Sequence, residues 1–162
     1  MGLNIADKAS EVLCSDSNVH VSEVFDSGVD TLPESHRERL FYDNLNAEEA
    51  IEAGQCEEAD IIIVDPPRKG LDKGVMNLLL GIHPTQQHSS SLHTLIYVSC
   101  GYEALERECR ELLASGRWKV KEAQGFVLFP GSDHVETVVV FERIHGNMHS
   151  NQGNGNRANE DA

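Results

Sequence analysis

Residues 61–68 of this 162-residue chain read IIIVDPPR, and they are the strongest indication of the fold class. Its continuous β-branched run is typical of a strand that is buried on both faces of a parallel sheet. Pro66 and Pro67 cannot donate to a strand ladder, so the strand must end before them. The sequence therefore places the carboxylate of Asp65 at the carboxyl end of a buried strand.

The segments that follow alternate between helix and strand patterns. We predict helices over 75–81 and 102–115, and strands over 95–98, 118–122 and 138–141. The second helix has the clearest pattern, because its apolar residues fall on one stripe. Strands that alternate with helices predict an α/β domain with a largely parallel sheet.

The segment before residue 61 has a weaker pattern and a strong negative charge. We predict helices over 6–13 and 47–53, and strands over 19–25 and 40–45. Residues 1–60 contain 15 acidic and 3 basic side chains, a net charge of −12, whereas residues 61–162 have a net charge of −2. Because an acidic surface repels phosphate backbones, the bulk charge gives no support for nucleic-acid binding.

Composition restricts the class of protein. With 40% hydrophobic and 25% charged residues, the chain has the composition of a globular protein. We expect residues 1–144 to form one domain and residues 145–162, which have almost no apolar content, to be disordered. No apolar run reaches membrane length and no secretory leader opens the sequence, so we expect an intracellular protein without membrane contact. The four cysteines are widely spaced, which favours reduced thiols over a disulfide framework or a metal site.

Two predicted strands end in residues that can carry chemistry. Ligands of open α/β sheets bind at the carboxyl ends of the strands, where Asp65 and Cys100 are expected. Asp65 either caps the following helix or lines a small-molecule pocket. Cys100 is either an inert buried thiol or a thiolate favoured by a helix N-terminus. Glu136, just before the last apolar strand, is either an exposed strand residue or a third member of the site.

Three segments occur in an order and spacing typical of one family. They are DPPRKGL at 65–71, YVSC at 97–100 followed by a helix that carries Arg107, and FPGSDHVE at 129–136. Together they resemble the catalytic domain of the S-adenosylmethionine-dependent RNA (uracil-5-)-methyltransferases, which act on tRNA and ribosomal RNA. The resemblance covers residues 40–143. It implies a partial Rossmann-like class I methyltransferase sheet, mostly parallel, with an antiparallel last strand.

The resemblance implies S-adenosyl-L-methionine as cofactor, RNA as substrate and a covalent mechanism. Cys100 matches the nucleophile that adds to carbon 6 of the target uracil, and Glu136 matches the base that removes the proton from carbon 5. Asp65 matches a carboxylate near the methionine part of the cofactor and the target base. Asn44 matches an adenosine contact. Asn4 aligns with the end of the second strand, where the family has an acidic residue that binds ribose hydroxyls.

The chain departs from the family pattern in several places. Gly101 and Tyr102 replace the usual Asn-Pro, Glu108 replaces the usual Asp after Arg, and Ser132 replaces Thr. The family's first strand, its Gly-rich loop, its central domain and its small RNA-binding barrel have no counterpart in this sequence. We therefore expect the C-terminal part of a catalytic domain, with missing N-terminal domains or a partner chain.

Two other functions remain open at this point. One is a methyltransferase that uses the DPPR segment without covalent catalysis, in which Cys100→Ala would spare activity. The other is a catalytically inactive remnant or interaction module, which would not bind the cofactor.

Overall fold

The structure, a computed structural model, describes residues 1–82, 91–128, 130–131 and 135–144. In chain order the elements are a 3₁₀ helix (Gly2–Ile5), β1 (Val12–Ser15), α1 (Val19–Val29), α2 (Glu34–Arg37), β2 (Leu40–Asp43), α3 (Ala47–Glu52), β3 (Ile61–Val64), α4 (Lys73–Leu80), β4 (Thr94–Ser99), α5 (Tyr102–Ala114), β5 (Trp118–Phe126) and β6 (Glu136–Arg143). No helix among them is both long and apolar enough to cross a bilayer. The predicted disordered tail, 145–162, and part of the segment 129–136 lie outside the described residues.

Four strands form the larger sheet, in the order β3-β4-β6-β5. β3 and β4 pair in parallel, and β6 runs antiparallel to both of its neighbours, β4 and β5. Three of the four strands therefore run in one direction, and the α/β class with an antiparallel last strand is confirmed. Alternate residues of β4 are buried, and Leu95, Tyr97 and Phe141 are fully buried. They form the main core with apolar side chains of α4 and α5.

β1 and β2 form a separate two-stranded parallel sheet with α1 as the crossover. Its core is small and consists of Ala6, Val12 and Leu40 with partly buried neighbours. Among the described residues no strand pairing joins this sheet to the larger one. The connection instead includes α3 and α4, where the Gly74 N–H donates to Glu48 Oε1 at 3.0 Å. A sheet divided in this way fits the predicted absence of one strand.

Two predictions for the N-terminal segment are wrong. Residues 19–25 form part of helix α1 rather than a strand, and residues 12 and 13 belong to β1 rather than to a helix. Asn18 explains the first error, because its side chain accepts the His20 N–H at 3.1 Å and caps the helix. This cap outweighs the β preference of the valines that follow it.

The prediction that β3 is buried on both faces is also wrong. Ile61 is 50% exposed, and the other three residues of β3 are only partly buried. The reason is that β3 pairs only with β4 and has no described strand along its other edge. The remaining predicted helices and strands are confirmed, with β5 and β6 longer than predicted.

Candidate functional site

Cys100 and Glu136 meet at one end of the larger sheet. Cys100 directly follows β4, and Glu136 is the first residue of β6. Ser99 and Thr137 are the last pair of the antiparallel β4–β6 ladder. The next residue along the chain after Ser99 is Cys100, which lies in a bend just beyond the ladder, and the residue before Thr137 is Glu136. The sheet register therefore places a carboxylate and the thiol at the same end of the sheet.

Asp65 lies at the same edge, on the other side of β4. The last residue of β3, Val64, pairs with Tyr97 in the parallel ladder, and β4 continues beyond that pair to Ser99. Both strands therefore end at the same edge of the sheet, with Asp65 set back along the strand direction from Cys100. By the two-residue alternation of strands, Asp65, Cys100 and Glu136 share one face. The opposite face carries buried Tyr97. Asp65 is exposed and Cys100 is half-buried, so both can be reached from solvent.

The turn that presents Cys100 is closed by the side chain before it. Ser99 is 4% exposed, and its hydroxyl accepts the Gly101 N–H at 3.1 Å and donates to the Gly101 carbonyl at 3.2 Å. Gly101 is the N-cap residue of α5. Cys100 is therefore held between the end of a buried strand and the N-terminus of a 13-residue helix.

The other three cysteines have surroundings that suppress thiol chemistry. Burial raises the pKa of the thiols of Cys14, Cys56 and Cys109. The adjacent carboxylate of Glu108 further raises the pKa of Cys109. A thiol with a raised pKa holds less thiolate at neutral pH and is a poorer nucleophile.

The DPPRKGL segment packs directly on the Cys100 turn. A Cβ at Gly101 would lie 2.7 Å from the Arg68 carbonyl oxygen and 3.0 Å from the Arg68 Cα. Such distances require the backbone to shift, so glycine permits this approach. Gly101, which replaces the family's usual Asn, thus lies where the DPPRKGL segment and the Cys100 turn are in close contact.

A second polar cluster forms at the carboxyl ends of β1 and β2. The Asn44 side chain donates through Nδ2 to the Asp16 carbonyl at 2.8 Å, and the Tyr42 hydroxyl donates to the same oxygen at 3.2 Å. The Asp16 carboxylate accepts the Asn18 N–H at 2.7 Å and is exposed. The resemblance matches Asn44, within a strand predicted over 40–45, to an adenosine contact, but it does not include Asp16. The sequence does contain a signal for this strand end, because the apolar pair Val12-Leu13 is followed by Asp16 and by the helix cap Asn18.

The predicted location of Asn4 is wrong. Asn4 belongs to the 3₁₀ helix Gly2–Ile5, where its N–H donates to the Met1 carbonyl at 3.0 Å and its side chain is exposed. The strand that pairs with β2 is β1, and Asp16 follows its last residue. Asp16, and not Asn4, is therefore the residue at the end of the strand that pairs with β2.

Curated relatives of the chain are RNA methyltransferases. An uncharacterized RNA methyltransferase of Protochlamydia amoebophila is 36% identical over 143 residues, which cover 88% of this chain and 34% of that protein. One of Halalkalibacterium halodurans is 37% identical over 84 residues, covering 52% of this chain and 16% of that protein. The chain thus spans about a third or less of the length of these relatives.

Solved structures confirm the fold. The tRNA (uracil-54, C5)-methyltransferase of Pyrococcus abyssi, solved with S-adenosyl-L-homocysteine, matches with a TM-score of 0.65 at 23% identity, over 86% of this chain and 31% of that one. A Streptococcus pneumoniae putative tRNA (m1A22) methyltransferase, in complex with S-adenosyl-L-methionine, matches with a TM-score of 0.61 at 13% identity, over 92% of this chain and 63% of that one. The described residues therefore adopt part of the class I methyltransferase fold.

The chain also matches a sequence model of a whole family. The model of the tRNA (uracil-5-)-methyltransferase family matches residues 38–144, which include Asn44, Asp65, Cys100 and Glu136. Those residues span most of the described chain and the whole of the larger sheet. The chain belongs to the tRNA (uracil-5-)-methyltransferase family.

Proposed function

We propose that the chain is part of the catalytic domain of a methyltransferase that modifies carbon 5 of a uridine in tRNA or ribosomal RNA. The observation that carries this proposal is the placement of Cys100 between Asp65 and Glu136 at one edge of the sheet. Membership of the uracil-5 family supports the choice of base and atom. Because the acidic segment 1–60 repels phosphate groups, we expect RNA contacts to be made by other parts of a longer protein.

The residues at the sheet edge suit a covalent mechanism. Carbon 5 of uracil is a weak nucleophile, and addition of the Cys100 thiolate to carbon 6 makes it electron-rich. Glu136 then removes the proton from the substituted carbon 5. The electron pair of that C–H bond restores the ring double bond as the bond between carbon 6 and sulfur breaks. When bound, S-adenosyl-L-methionine would supply the methyl group that carbon 5 takes up before Glu136 removes the proton, and it would leave as S-adenosyl-L-homocysteine.

The two strand-end clusters fit the polar groups of such a cofactor. The exposed Asp16 carboxylate can accept hydrogen bonds from two vicinal ribose hydroxyls. Asn44, tied to the Asp16 backbone at 2.8 Å, lies on the next strand end, where it can face the adenine. Asp65 can face the charged methionine part. Ligands of doubly wound sheets bind at this edge.

We also propose that a further parallel strand, from outside this sequence, joins the two sheets. Both sheets have parallel pairing, and β3 has one edge that pairs with no strand among the described residues and a half-exposed Ile61. An unpaired apolar edge is a template for strand addition. A preceding segment of a longer polypeptide or a partner chain can supply this strand.

Calorimetric titration of the purified chain with S-adenosyl-L-methionine and S-adenosyl-L-homocysteine tests the proposal first. We expect saturable binding that Asp16→Ala and Asp65→Ala each weaken by about 10-fold or more. A folded sample that binds neither compound would refute cofactor binding by this chain and favour the inactive-remnant alternative. Repeating the titration with the preceding segment added in trans would then test strand completion.

Trapping on RNA that contains 5-fluorouracil tests the covalent step. Glu136 can remove a proton but not fluorine from carbon 5, so the adduct through Cys100 should persist and be visible on a denaturing gel. We expect Cys100→Ala to abolish this adduct, whereas the matched control Cys56→Ala should retain it. Methylation that survives Cys100→Ala would refute covalent catalysis and support the noncovalent alternative.

A further inference from the structure

Glu108 is a buried carboxylate that joins three segments of the candidate site. It lies on α5 and is only 3% exposed. Both of its oxygens accept the Leu71 N–H at 3.2 Å, and Oε2 also accepts the Tyr97 hydroxyl at 2.7 Å. Loop 65–71, strand β4 and helix α5 therefore converge on one side chain.

The neighbouring Arg107 extends this connection. Its Nη2 donates to Glu108 Oε1 at 2.9 Å and to the Lys69 carbonyl at 3.0 Å. Together the two side chains hold peptide groups on both sides of Gly70. Because a carboxylate can accept all of these hydrogen bonds at once, an apolar side chain of similar size could not replace its function.

Gly70 shows that the loop is fitted to this carboxylate. Its φ is +96°, and a Cβ there would lie 1.9 Å from Glu108 Oε1 and 3.0 Å from Arg107 Nη2. The Gly70 N–H also donates to the Pro67 carbonyl at 2.9 Å, which closes a turn. Only glycine adopts this φ readily and leaves room for the carboxylate.

The loop held by Glu108 also contacts the turn that presents the nucleophile. The backbone of Arg68 lies against Gly101, directly after Cys100, and the loop begins at Asp65. A shift of the loop by about 1 Å would therefore change the separation between the carboxylate of Asp65 and the thiol, and misplacement on this scale can slow a reaction by about 100-fold.

We propose that Glu108 is a positioning residue that fixes loop 65–71 against the Cys100 turn and thereby aligns Asp65 with the thiol. The catalytic part of this inference rests on the proposed function, whereas the structural part does not. Among the described residues no hydrogen bond joins Glu108 to Asp65 or Cys100, so its effect passes through the loop at Leu71 and through β4 at Tyr97.

Glu108→Ala and Glu108→Gln test the proposal, with Glu111→Gln as matched control. Glu111 lies on the same helix and is exposed. We expect Glu108→Ala to accelerate amide hydrogen exchange at Leu71 by about 10-fold or more relative to the rest of the sheet. It should also change the rate at which iodoacetamide alkylates Cys100. Glu108→Gln keeps one oxygen for Leu71 and should lie between wild type and Ala.

Steady-state kinetics separate positioning from simple stabilisation. At a temperature where all variants are folded, we expect kcat to fall by about 10- to 100-fold in Glu108→Ala with KM for RNA nearly unchanged, and partial recovery in Glu108→Gln. Unchanged Leu71 exchange and Cys100 alkylation in a folded Glu108→Ala protein would overturn the proposal. So would an unchanged kcat. If the wild-type chain neither binds cofactor nor forms the RNA adduct, the proposed function fails, and exchange and alkylation still decide whether Glu108 fixes the loop.

Discussion

Gly101→Ala is the most direct test of the contact between the DPPRKGL loop and the Cys100 turn. Gly101 has φ −128° and ψ 92°, a conformation that alanine adopts without backbone strain. The added methyl group would lie 2.7, 3.0 and 3.2 Å from the carbonyl oxygen, Cα and carbonyl carbon of Arg68. All three are backbone atoms, so the contact cannot be relieved by a change of side-chain rotamer.

The size of the effect follows from two opposing terms. Overpacking of this kind costs about 1–3 kcal/mol. Replacing glycine by alanine also lowers the conformational entropy of the unfolded chain, which stabilises the folded protein by about 0.4–1 kcal/mol. We therefore expect Gly101→Ala to lower the free energy of unfolding by about 1–2 kcal/mol.

Urea denaturation followed by circular dichroism measures this change. With a slope of about 2 kcal/mol per molar urea, the midpoint should fall by about 0.5–1 M. Gly125→Ala is the control, because the one contact that a Cβ there would make with the described residues is to Val135 Cγ1, at an ordinary 3.4 Å. We expect that control to leave the midpoint nearly unchanged. Equal midpoints for the two variants would refute the close packing of Arg68 on Gly101.

Three further predictions concern the core and the titrating groups. Phe141→Ala, at a fully buried position, should cost about 3–5 kcal/mol in urea unfolding, and a loss below about 1 kcal/mol would contradict the packing described. Burial and the hydrogen-bonded Glu108 carboxylate raise the pKa of Tyr97 above its ordinary 10.0. The unfolded protein therefore loses the tyrosine proton first, and the free energy of unfolding should fall as the pH rises above 10.0. Tyr97→Phe should remove this alkaline loss, which midpoints measured at pH values on both sides of 10.0 would show. Cys14, Cys56 and Cys109 should react with iodoacetamide more slowly than free cysteine, as mass spectrometry of peptides would show.

The larger sheet could be predicted from sequence because its signals are local. The run at 61–64 is continuous and apolar, and proline punctuation marks its end. The helix at 102–114 has an apolar stripe that fixes its buried face. Once the strand order is known, the strand-end positions of Asp65, Cys100 and Glu136 follow from parallel and antiparallel register.

The smaller sheet could not be predicted in the same way. Residues 19–25 alternate like a strand, and the capping contact between Asn18 and His20 that makes them a helix depends on backbone geometry. The helix predicted over 6–13 also covered the start of β1, so neither β1 nor Asp16 at its end was predicted. The role of Glu108 was also invisible, because its partner Leu71 lies 37 residues away in sequence.

Two of the departures from the family pattern, Gly101 and Glu108, contact the same loop, and a double-mutant cycle measures whether they are coupled. Gly101 admits the Arg68 backbone, and Glu108, one methylene longer than the usual Asp, reaches Leu71 on the same loop. Gly101→Asn alone forces a side chain into the loop that Glu108 holds in place. Glu108→Asp alone withdraws that anchor and frees the loop to move away from position 101.

The double variant should therefore lose less stability than the sum of the two single variants, by about 1 kcal/mol. Urea unfolding of all four proteins measures this coupling. Losses that add to within about 0.3–0.5 kcal/mol would show that the two positions are independent. A loss smaller than the sum would mean that Gly101 and Glu108 depend on each other in packing the loop on the Cys100 turn. This pair would then replace the family's usual asparagine and aspartate as a unit.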